Sequence, residues 1–277
     1  MMLAIKNNLM ADTAARHLGR SYEALSASVE RLSSGLRINS AKDDAAGLAV
    51  RELMRADIAV IQQGARNAQD GISMLQTMEG AMATIDDALI RMKELAEQAA
   101  TGSYSSQQRN IMNNEFKQMA AEITRIAEKT EFNTITMLDS ATGTQTVHFG
   151  IDSDGNDSSI TVNSVDVTAT TLGIDSASAN VASTTDAATA LGLVNTAIKA
   201  KDSARASFGY MMNRIGSTAT VLNISAENLK AAESRVSDVD VAQEMAAMTR
   251  NQVLAQAGVS MLGQANSMPQ MALTLLR

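Results

Sequence analysis

The residues from Met54 to Met92 read MRADIAVIQQGARNAQDGISMLQTMEGAMATIDDALIRM. Apolar side chains recur in this stretch at intervals of three and four residues, which places them on one face of an α-helix. The intervals alternate as in a coiled-coil heptad, and one irregularity between Ile72 and Met78 predicts a locally overwound coil. The predicted seam contains Met54, Ile58, Ile61, Ala65, Ala68, Ile72, Leu75, Met78, Met82, Ile85, Leu89 and Met92.

The helix around this seam is predicted to be very long. Ser40 has the chemistry of an N-cap, and Asp43 and Asp44 suit the positive end of the helix dipole. Gly102 is a predicted C-terminal stop. About 55 residues at 1.5 Å each span roughly 80 Å, whereas a compact globule of this chain length measures roughly 50 Å across. We therefore expect an elongated molecule.

Further seams predict a mostly α fold, built as an elongated antiparallel helical bundle with a terminal coiled coil. Ser105 and Gln108 have the spacing of a capping box, so a second helix should begin there. Long helices with apolar faces bury those faces against one another in one bundle. The two bundle seams comprise Met112, Phe116, Met119, Ile123 and Ile126, and Phe208, Met211, Ile215, Ala219, Leu222, Ala226 and Leu229.

Composition narrows the function classes. The 277 residues include 18 Met and a single proline, Pro269, as expected for a chain of long helices. The net charge of −7 and the absence of a basic stripe argue against nucleic acid as a partner. The sequence contains no run of 18 apolar residues, so we predict no membrane span. The N-terminus lacks the features of a cleaved signal peptide. The absence of cysteine excludes disulfides and thiolate chemistry.

The middle of the chain changes character. Residues 141–189 are rich in Ser, Thr, Asp, Asn and Gly, and no Lys or Arg occurs between Lys129 and Lys199. We interpret this segment as a short polar β-hairpin insert with a solvated surface. Alternating apolar residues flank an Asp-Gly turn signal, namely Val147, Phe149, Ile151, Ile160 and Val162 around Asp154 and Gly155.

Few residues have the identity and spacing of a metal-binding or catalytic site. Asp152–Asp157 resembles a calcium loop, but Gly155 is fourth rather than sixth and Asn163 takes the place of the twelfth-position Glu, so a hairpin turn is favoured. His17 and His148 stand alone, without a cluster of metal ligands. Phosphate-binding and nucleophile motifs are also missing from the sequence. We expect no enzyme activity, no catalytic or metal site and no cofactor.

The terminal segments carry apolar faces that nothing nearby in sequence covers. Isolated helices of this size are marginal in water. We expect residues 1 to about 40 and about 237 to 277 to be disordered in the free monomer, and to become helical when neighbouring copies bury them. The predicted assembly residues are Leu18, Tyr22, Leu25, Val29, Leu32, Met245, Met248, Val259 and Leu262.

Three stretches resemble bacterial flagellin, in the order and spacing of that family. The first is RLSSGLRINSAKDDAAGL at Arg31–Leu48, and the second is NAQDGISMLQTMEGA at Asn67–Ala81. The third is spread over the C-terminus. It comprises Ser234, Arg235, Asp238, Val239, Asp240, Gln264, Ala265, Asn266, Pro269, Gln270, Leu275 and Leu276, of which Leu275 and Leu276 join the predicted assembly residues.

The resemblance implies three parts. Residues 1–40 and 237–277 would form a terminal coiled-coil domain at the filament core. Residues 41–140 and 190–236 would form a helical-bundle domain, and 141–189 would be its hairpin insert, without a large outer domain. A spoke between the two helical parts would contain Ser33, Ser34, Gly35, Arg37 and Asn39.

The resemblance also implies a function and partners. The chain would polymerise with itself into the flagellar filament for swimming motility. It would be exported through the type III flagellar apparatus to the cell exterior. An export chaperone would bind the C-terminal helix, and a filament cap protein and hook-associated junction proteins would meet the assembled ends.

Some flagellins are recognised by a Toll-like receptor, and four residues here match the receptor-contacting positions of the family: Arg91, Leu95, Gln98 and Glu115. Lys93 and Glu97 depart from the usual residues of that stretch. Lysine does not replace the bidentate contacts of arginine. The alternative interpretation is an amphipathic helix whose polar side is buried only between subunits.

A hook-filament junction protein is the alternative to a filament subunit. Junction proteins also assemble through a terminal coiled coil, but they usually carry Pro after the paired carboxylates. Ala45 follows Asp44 here, which favours the filament subunit.

Overall fold

The structure is a computed structural model that describes residues 7–139, 143–150 and 158–275. About 75% of the described residues are helical, which confirms the predicted mostly α class with a small β-hairpin. The elements in chain order are α1 (Leu9–Ser34), α2 (Ala45–Ala100), α3 (Ser106–Lys129), β1 (Glu131–Phe132), β2 (Ile135–Thr136), β3 (Thr144–His148), β4 (Ser159–Asn163), α4 (Thr184–Ser237) and α5 (Val241–Leu275).

The described residues form two compact units. The terminal unit comprises those up to Ala56 and from Asn228 onward, and the central unit runs from Asp57 to Glu227. Helices α2 and α4 each contribute residues to both units. The three-part division expected from the sequence stays a prediction. That division concerns the roles of the parts in a filament, whereas these two units are defined by contacts within one chain.

The core of the central unit follows one face of α2 with strict heptad spacing. The predicted irregularity between Ile72 and Met78 is wrong, because Ile72 is only half-buried while Gly64 and Gly71 are buried in the seam. Glycine has no side chain, so a hydrophobicity pattern passes over it. The buried seam runs through Ile61, Gly64, Ala68, Gly71, Leu75, Met78, Met82, Ile85, Leu89, Met92, Ala96 and Ala99.

The two seam glycines allow β3 and the following residue, Phe149, to pack closely against α2. A Cβ atom on Gly64 would lie 2.6 Å from the carbonyl oxygen of Phe149, and one on Gly71 would lie 2.9 Å from Val147. Between them, the Asn67 side-chain amide donates a hydrogen bond to the His148 carbonyl at 2.8 Å. The absence of a side chain therefore leaves room for the Phe149 backbone at Gly64 and for the Val147 side chain at Gly71.

Helices α3 and α4 supply the other apolar faces of this core. The predicted capping box begins α3, with the Ser105 hydroxyl accepting from the Gln108 N–H at 3.3 Å and the Gln108 side chain accepting from the Ser105 N–H at 2.8 Å. Phe116 on α3 and Phe208 on α4 are fully buried. Both phenylalanines belong to the predicted seams.

Ion pairs align α4 with α2. Lys201 is only 1% exposed, and its ammonium is paired with Asp86 and, at 2.8 Å, with Asp202. Arg205 bonds Glu79 at 3.0 Å further along the same two helices. A buried ammonium is tolerated only with carboxylate partners, so Lys201 fixes where α4 lies along α2.

The predicted hairpin is present as antiparallel β3 and β4, in a register that pairs Thr144 with Asn163 and Val147 with Ile160. The expected alternation holds, since Val147 and Ile160 are buried whereas Thr146 is exposed. The predicted turn at Asp152–Asp157 lies outside the described residues.

A second, smaller hairpin joins β1 to β2. Asn133 and Thr134 form its two-residue turn with φ angles of 50° and 66°. Both angles lie in the left-handed region that such turns require. A β-branched residue rarely adopts that region, so Thr134 is strained there.

The second half of the middle segment differs from the solvated loop that its polar composition predicts. Residues 164–183 have little regular structure, yet their apolar side chains alternate into the core of the central unit. Val165 N–H donates to Met137 O at 2.9 Å, and the buried Asn113 side chain accepts from Val181 N–H at 3.0 Å. The buried members are Val167, Ala169, Leu172, Ile174, Ala179 and Val181.

Candidate functional site

The terminal unit is built from the first and last helices of the chain. Leu18, Leu25 and Leu32 of α1 are half-buried, as are Met248 and Leu262 of α5. The most buried described side chains of the two helices are small, namely Ser28, Ala255 and Ala265. Small side chains let two helix backbones approach closely. A Cβ atom on Gly258 would lie 3.1 Å from the Leu18 side chain.

Polar contacts fix the pair near both ends. The Asn8 side-chain amide donates to the Ala265 carbonyl at 2.8 Å, across 257 residues of sequence, while its oxygen accepts from Ala11 N–H at 3.2 Å as the N-cap of α1. Arg31 lies 3.7 Å from Glu244 near the other end. The two helices therefore have a defined register.

The predicted assembly residues divide between two faces of the pair. The five named above are half-buried, whereas Tyr22, Val29, Met245 and Val259 are each 45–51% exposed. The side chain of Leu275 and the whole of Leu276 lie outside the described part. Further exposed apolar residues of the two helices are Leu9, Met10, Val241, Val253, Leu254 and Met261.

An apolar groove of about 390 Å³ lies between α1 and α5. Met10 and His17 line it from α1, and Leu254, Gly258 and Met261 line it from α5. Sequence periodicity did not identify this groove, because Leu254 and Met261 are not members of the predicted α5 seam.

The predicted spoke residues lie at a crossing of two chain segments. Ser33 and Ser34 end α1, and Gly35 caps it with φ +72° and an N–H bonded to Arg31 O at 2.9 Å. Arg37 N–H then donates to Ser237 O at 2.7 Å, and the Arg37 guanidinium donates to Val236 O at 2.7 Å. The segment after α1 is thereby tied to the end of α4 within the terminal unit.

A polar turn follows the crossing. Asn39 and Ser40 donate backbone N–H groups to the Asp43 carboxylate at 3.2 and 3.0 Å. The bonds from the Ser40 N–H and hydroxyl lower the pKa of Asp43. The N-cap of α2 is Asp44, whose carboxylate accepts from Gly47 N–H at 2.9 Å, so the prediction that Ser40 caps this helix is wrong. The adjacent carboxylates of Asp43 and Asp44 thus accept backbone N–H groups from two successive turns, the polar turn before α2 and the first turn of α2.

The four predicted receptor contacts lie in the central unit. Arg91 and Glu115 are half-exposed and joined at 2.8 Å, and the bond to Glu115 raises the pKa of Arg91. Gln98 donates to the Tyr104 hydroxyl at 2.9 Å. Leu95 is only 2% exposed and belongs to the core. The surface of this part of α2 therefore presents Arg91 and Gln98 but not Leu95.

Two family models match the helical ends of the chain. The model described as bacterial flagellin N-terminal helical region matches residues 5–143, and the one described as bacterial flagellin C-terminal helical region matches residues 191–276. The chain belongs to the bacterial flagellin family. The unmatched residues 144–190 contain β3, β4 and the irregular part of the core.

Curated relatives match this flagellin along its whole length. Flagellin from Halalkalibacterium halodurans is 42% identical over 99% of this chain and 100% of the relative. The flagellar filament 33 kDa core protein of Treponema phagedenis is 40% identical with the same coverage. Flagellins are structural proteins that polymerise into the extracellular flagellar filament, and this chain is such a filament subunit.

A solved structure supports the fold. The crystal structure of Bacillus cereus flagellin shares 29% sequence identity with this chain at a TM-score of 0.51, covering 61% of this chain and 94% of the other. Across the described residues, no helix combines the length and apolarity needed to cross a membrane.

Proposed function

We propose that this flagellin assembles through the outward apolar faces of α1 and α5. The observation that carries the proposal is the exposure of Tyr22, Val29, Met245 and Val259 on a helix pair whose inner face is already occupied. Apolar area removed from water contributes about 25 cal/mol per Å². A contact repeated head-to-tail without closing generates a filament.

Electron microscopy after addition of ammonium sulfate tests this proposal. The full chain should give long filaments, and a variant lacking residues 237–277 should give none. A finer test compares Val259→Ser with Val221→Ser, because Val221 is a similarly exposed valine in the central unit. We expect the first substitution to reduce filament yield much more than the second. Equal yields would count against a special role for the terminal pair.

We also propose that the terminal helices are disordered in the free monomer and become ordered on assembly. The pair supports this proposal because its interface relies on small side chains and leaves large ones in water. Amide hydrogen exchange is the direct measurement, with fast exchange expected at Leu25 and Leu262 in monomer and slow exchange in filaments. Strong protection of both residues in monomer would overturn the idea.

Export and motility extend the proposal. The chain would leave the cell through the type III flagellar apparatus, with a chaperone covering the apolar face of α5 beforehand. The cap protein and the hook-associated junction proteins would contact the same terminal surfaces at the two filament ends. Secretion and swimming of a flagellin-deleted strain carrying this chain test export and motility together, and chaperone binding to Val253→Ser tests the α5 face.

Recognition by a Toll-like receptor is a further proposal. Arg91, Gln98 and Glu115 would form the contact, with Leu95 supporting the surface from inside the core. Arg91→Ala should reduce receptor signalling in a reporter cell. Arg125→Ala is a matched control, because Arg125 is also a half-exposed arginine paired with a glutamate, Glu122. Equal responses from both variants would exclude the contact.

A further inference from the structure

The methionines of this chain fall into two populations. In the central unit, Met78, Met82, Met92 and Met137 are fully buried. Among the described methionines, those with strongly exposed side chains all lie in α1 and α5, namely Met10, Met245, Met261 and Met271. The thioether groups that a solute can reach are therefore concentrated on the terminal helix pair.

Two of the exposed methionines lie on opposite sides of the groove between α1 and α5. Met10 is 43% exposed on α1 and Met261 is 63% exposed on α5. Both line the groove described above, whose other walls include Leu254, Ala257 and Gly258. Solvent reaches each side chain, and the groove around them is lined mainly by apolar residues, with Thr13, His17 and Gln264 as its polar members.

We propose that Met10 and Met261 form an oxidation site through which peroxides block assembly of the subunit. This inference rests on the proposed function, because a change in the groove affects polymerisation only if the terminal pair forms the contact between subunits. The reactive species is the subunit before incorporation, in which peroxide reaches Met10 and Met261 even when the terminal helices are disordered, and the groove is where both side chains must pack when the pair forms on assembly. In a filament, the same surface would be covered by neighbouring copies.

The chemistry is a two-electron oxygen transfer. A lone pair on the thioether sulfur attacks one oxygen of hydrogen peroxide, an S–O bond forms and the O–O bond breaks. The departing hydroxide takes the proton of the transferred oxygen and leaves as water. The sulfur is oxidised to a sulfoxide, and the peroxide is reduced. Sulfoxide reductases reverse the change, one for each epimer.

The product disrupts the groove because a sulfoxide is polar. An apolar side chain becomes a strong hydrogen-bond acceptor in walls that offer mostly aliphatic carbon. Burying such a group without a partner costs enough to raise the critical concentration for assembly by roughly tenfold or more. The fully buried methionines of the central unit should remain reduced, so the fold of that unit is preserved.

The experiment treats the monomeric full chain with hydrogen peroxide and follows oxygen uptake at each methionine by peptide mass spectrometry. Met10 and Met261 should be oxidised well before Met78, Met82 and Met92. Oxidised subunits should form few filaments, and treatment with both sulfoxide reductases should restore assembly. Uniform oxidation, or normal assembly of subunits oxidised at Met10 and Met261, would overturn the inference.

Leucine variants locate the effect. The double variant Met10→Leu, Met261→Leu keeps apolar side chains of similar volume. After peroxide it should keep much more of its filament yield than the parent chain does, with the remaining loss due to Met245 on the assembly face. Met245→Leu is the matched control, because Met245 is exposed on α5 but does not line the groove. Rescue by Met245→Leu alone, or no rescue by the double variant, would contradict the proposed site. If untreated subunits fail to polymerise, the proposed function fails, while the order of oxygen uptake still tests the oxidation site.

Discussion

The terminal unit and the central unit bury their helices in different ways. In the central unit, large side chains such as Phe116, Leu89 and Phe208 are completely removed from water. In the terminal unit, small residues such as Ser28 and Ala255 are buried, and large ones such as Tyr22 remain half-exposed. One chain therefore combines a unit stabilised by its own core with a terminal helix pair whose large apolar side chains stay partly exposed, as the proposed assembly through other copies requires.

The strongest test of this contrast uses aromatic truncations. Phe116→Ala should lower the free energy of unfolding of the central unit by about 3–5 kcal/mol, because it leaves a cavity in a filled core. Tyr22→Ala should change the unfolding free energy by less than about 1 kcal/mol but should impair filament formation. Urea unfolding followed by circular dichroism measures the first effect, and sedimentation of filaments measures the second. A large loss of stability from Tyr22→Ala would remove the distinction between the units.

The glycines of α2 give a sharper test of the central unit. Gly64→Ala should destabilise it by roughly 1–3 kcal/mol, because the new methyl group would overlap the Phe149 backbone. Gly80→Ala is the control within the same helix, because no atom lies within 4 Å of its added Cβ. That substitution should stabilise the helix by up to about 1 kcal/mol. Thermal unfolding compares the two variants. A rise in Tm for Gly64→Ala as well as for Gly80→Ala would show that the hairpin moves to accommodate the added methyl group.

The start of α3 should respond more weakly. Ser105→Ala removes the hydroxyl that accepts from Gln108 N–H, and we expect a loss of about 1 kcal/mol. Ser106→Ala, at the first position inside the helix, is the control and should have little effect. Chemical unfolding curves of both variants distinguish the cap from general helix propensity. Identical midpoints would mean that water replaces the hydroxyl.

The smallest effect concerns acid stability of the terminal unit. The pKa of Asp43 is lowered in the folded state, mainly by the Ser40 backbone N–H. Its contribution to stability is therefore present above the carboxyl pKa of the unfolded chain, about 3.9, and is lost as the pH falls through the lower folded value. Asp43→Asn should flatten the stability curve in this acidic range. Thermal melts between pH 2 and 6 measure this effect. If the variant and the parent chain show the same dependence of Tm on pH, Asp43 has no role in acid stability.

Sequence patterns predicted the parts of the fold that depend on local periodicity. The length of α2, the part of α4 from Phe208 to Leu229 and the capping box of Ser105 followed from the spacing of apolar and polar residues. Gly64 and Gly71 were missed as core positions because their burial depends on the strand β3, which packs there from about 80 positions further along the chain. Residues 164–183 were expected in solvent because Ser, Thr and Asp outnumber the alternating apolar residues that enter the core.

The candidate site was predictable to a similar extent. Periodicity identified seams on α1 and α5, but it could not separate the side that meets the partner helix from the side left in water. That separation depends on the crossing of two helices from opposite chain ends. Leu95 illustrates the same limit, since a motif match does not say that the side chain is buried.

The hydrogen bond from Asn8 to Ala265 has a consequence for biosynthesis. Its two residues are 257 positions apart, so at 5–20 residues per second they leave the ribosome roughly 13–50 s apart. The first helix is made long before the last, and the pair cannot close until translation is almost complete. A nascent or prematurely terminated chain without α5 therefore lacks the finished helix pair. Completion of synthesis itself delays the first moment at which a subunit can join another.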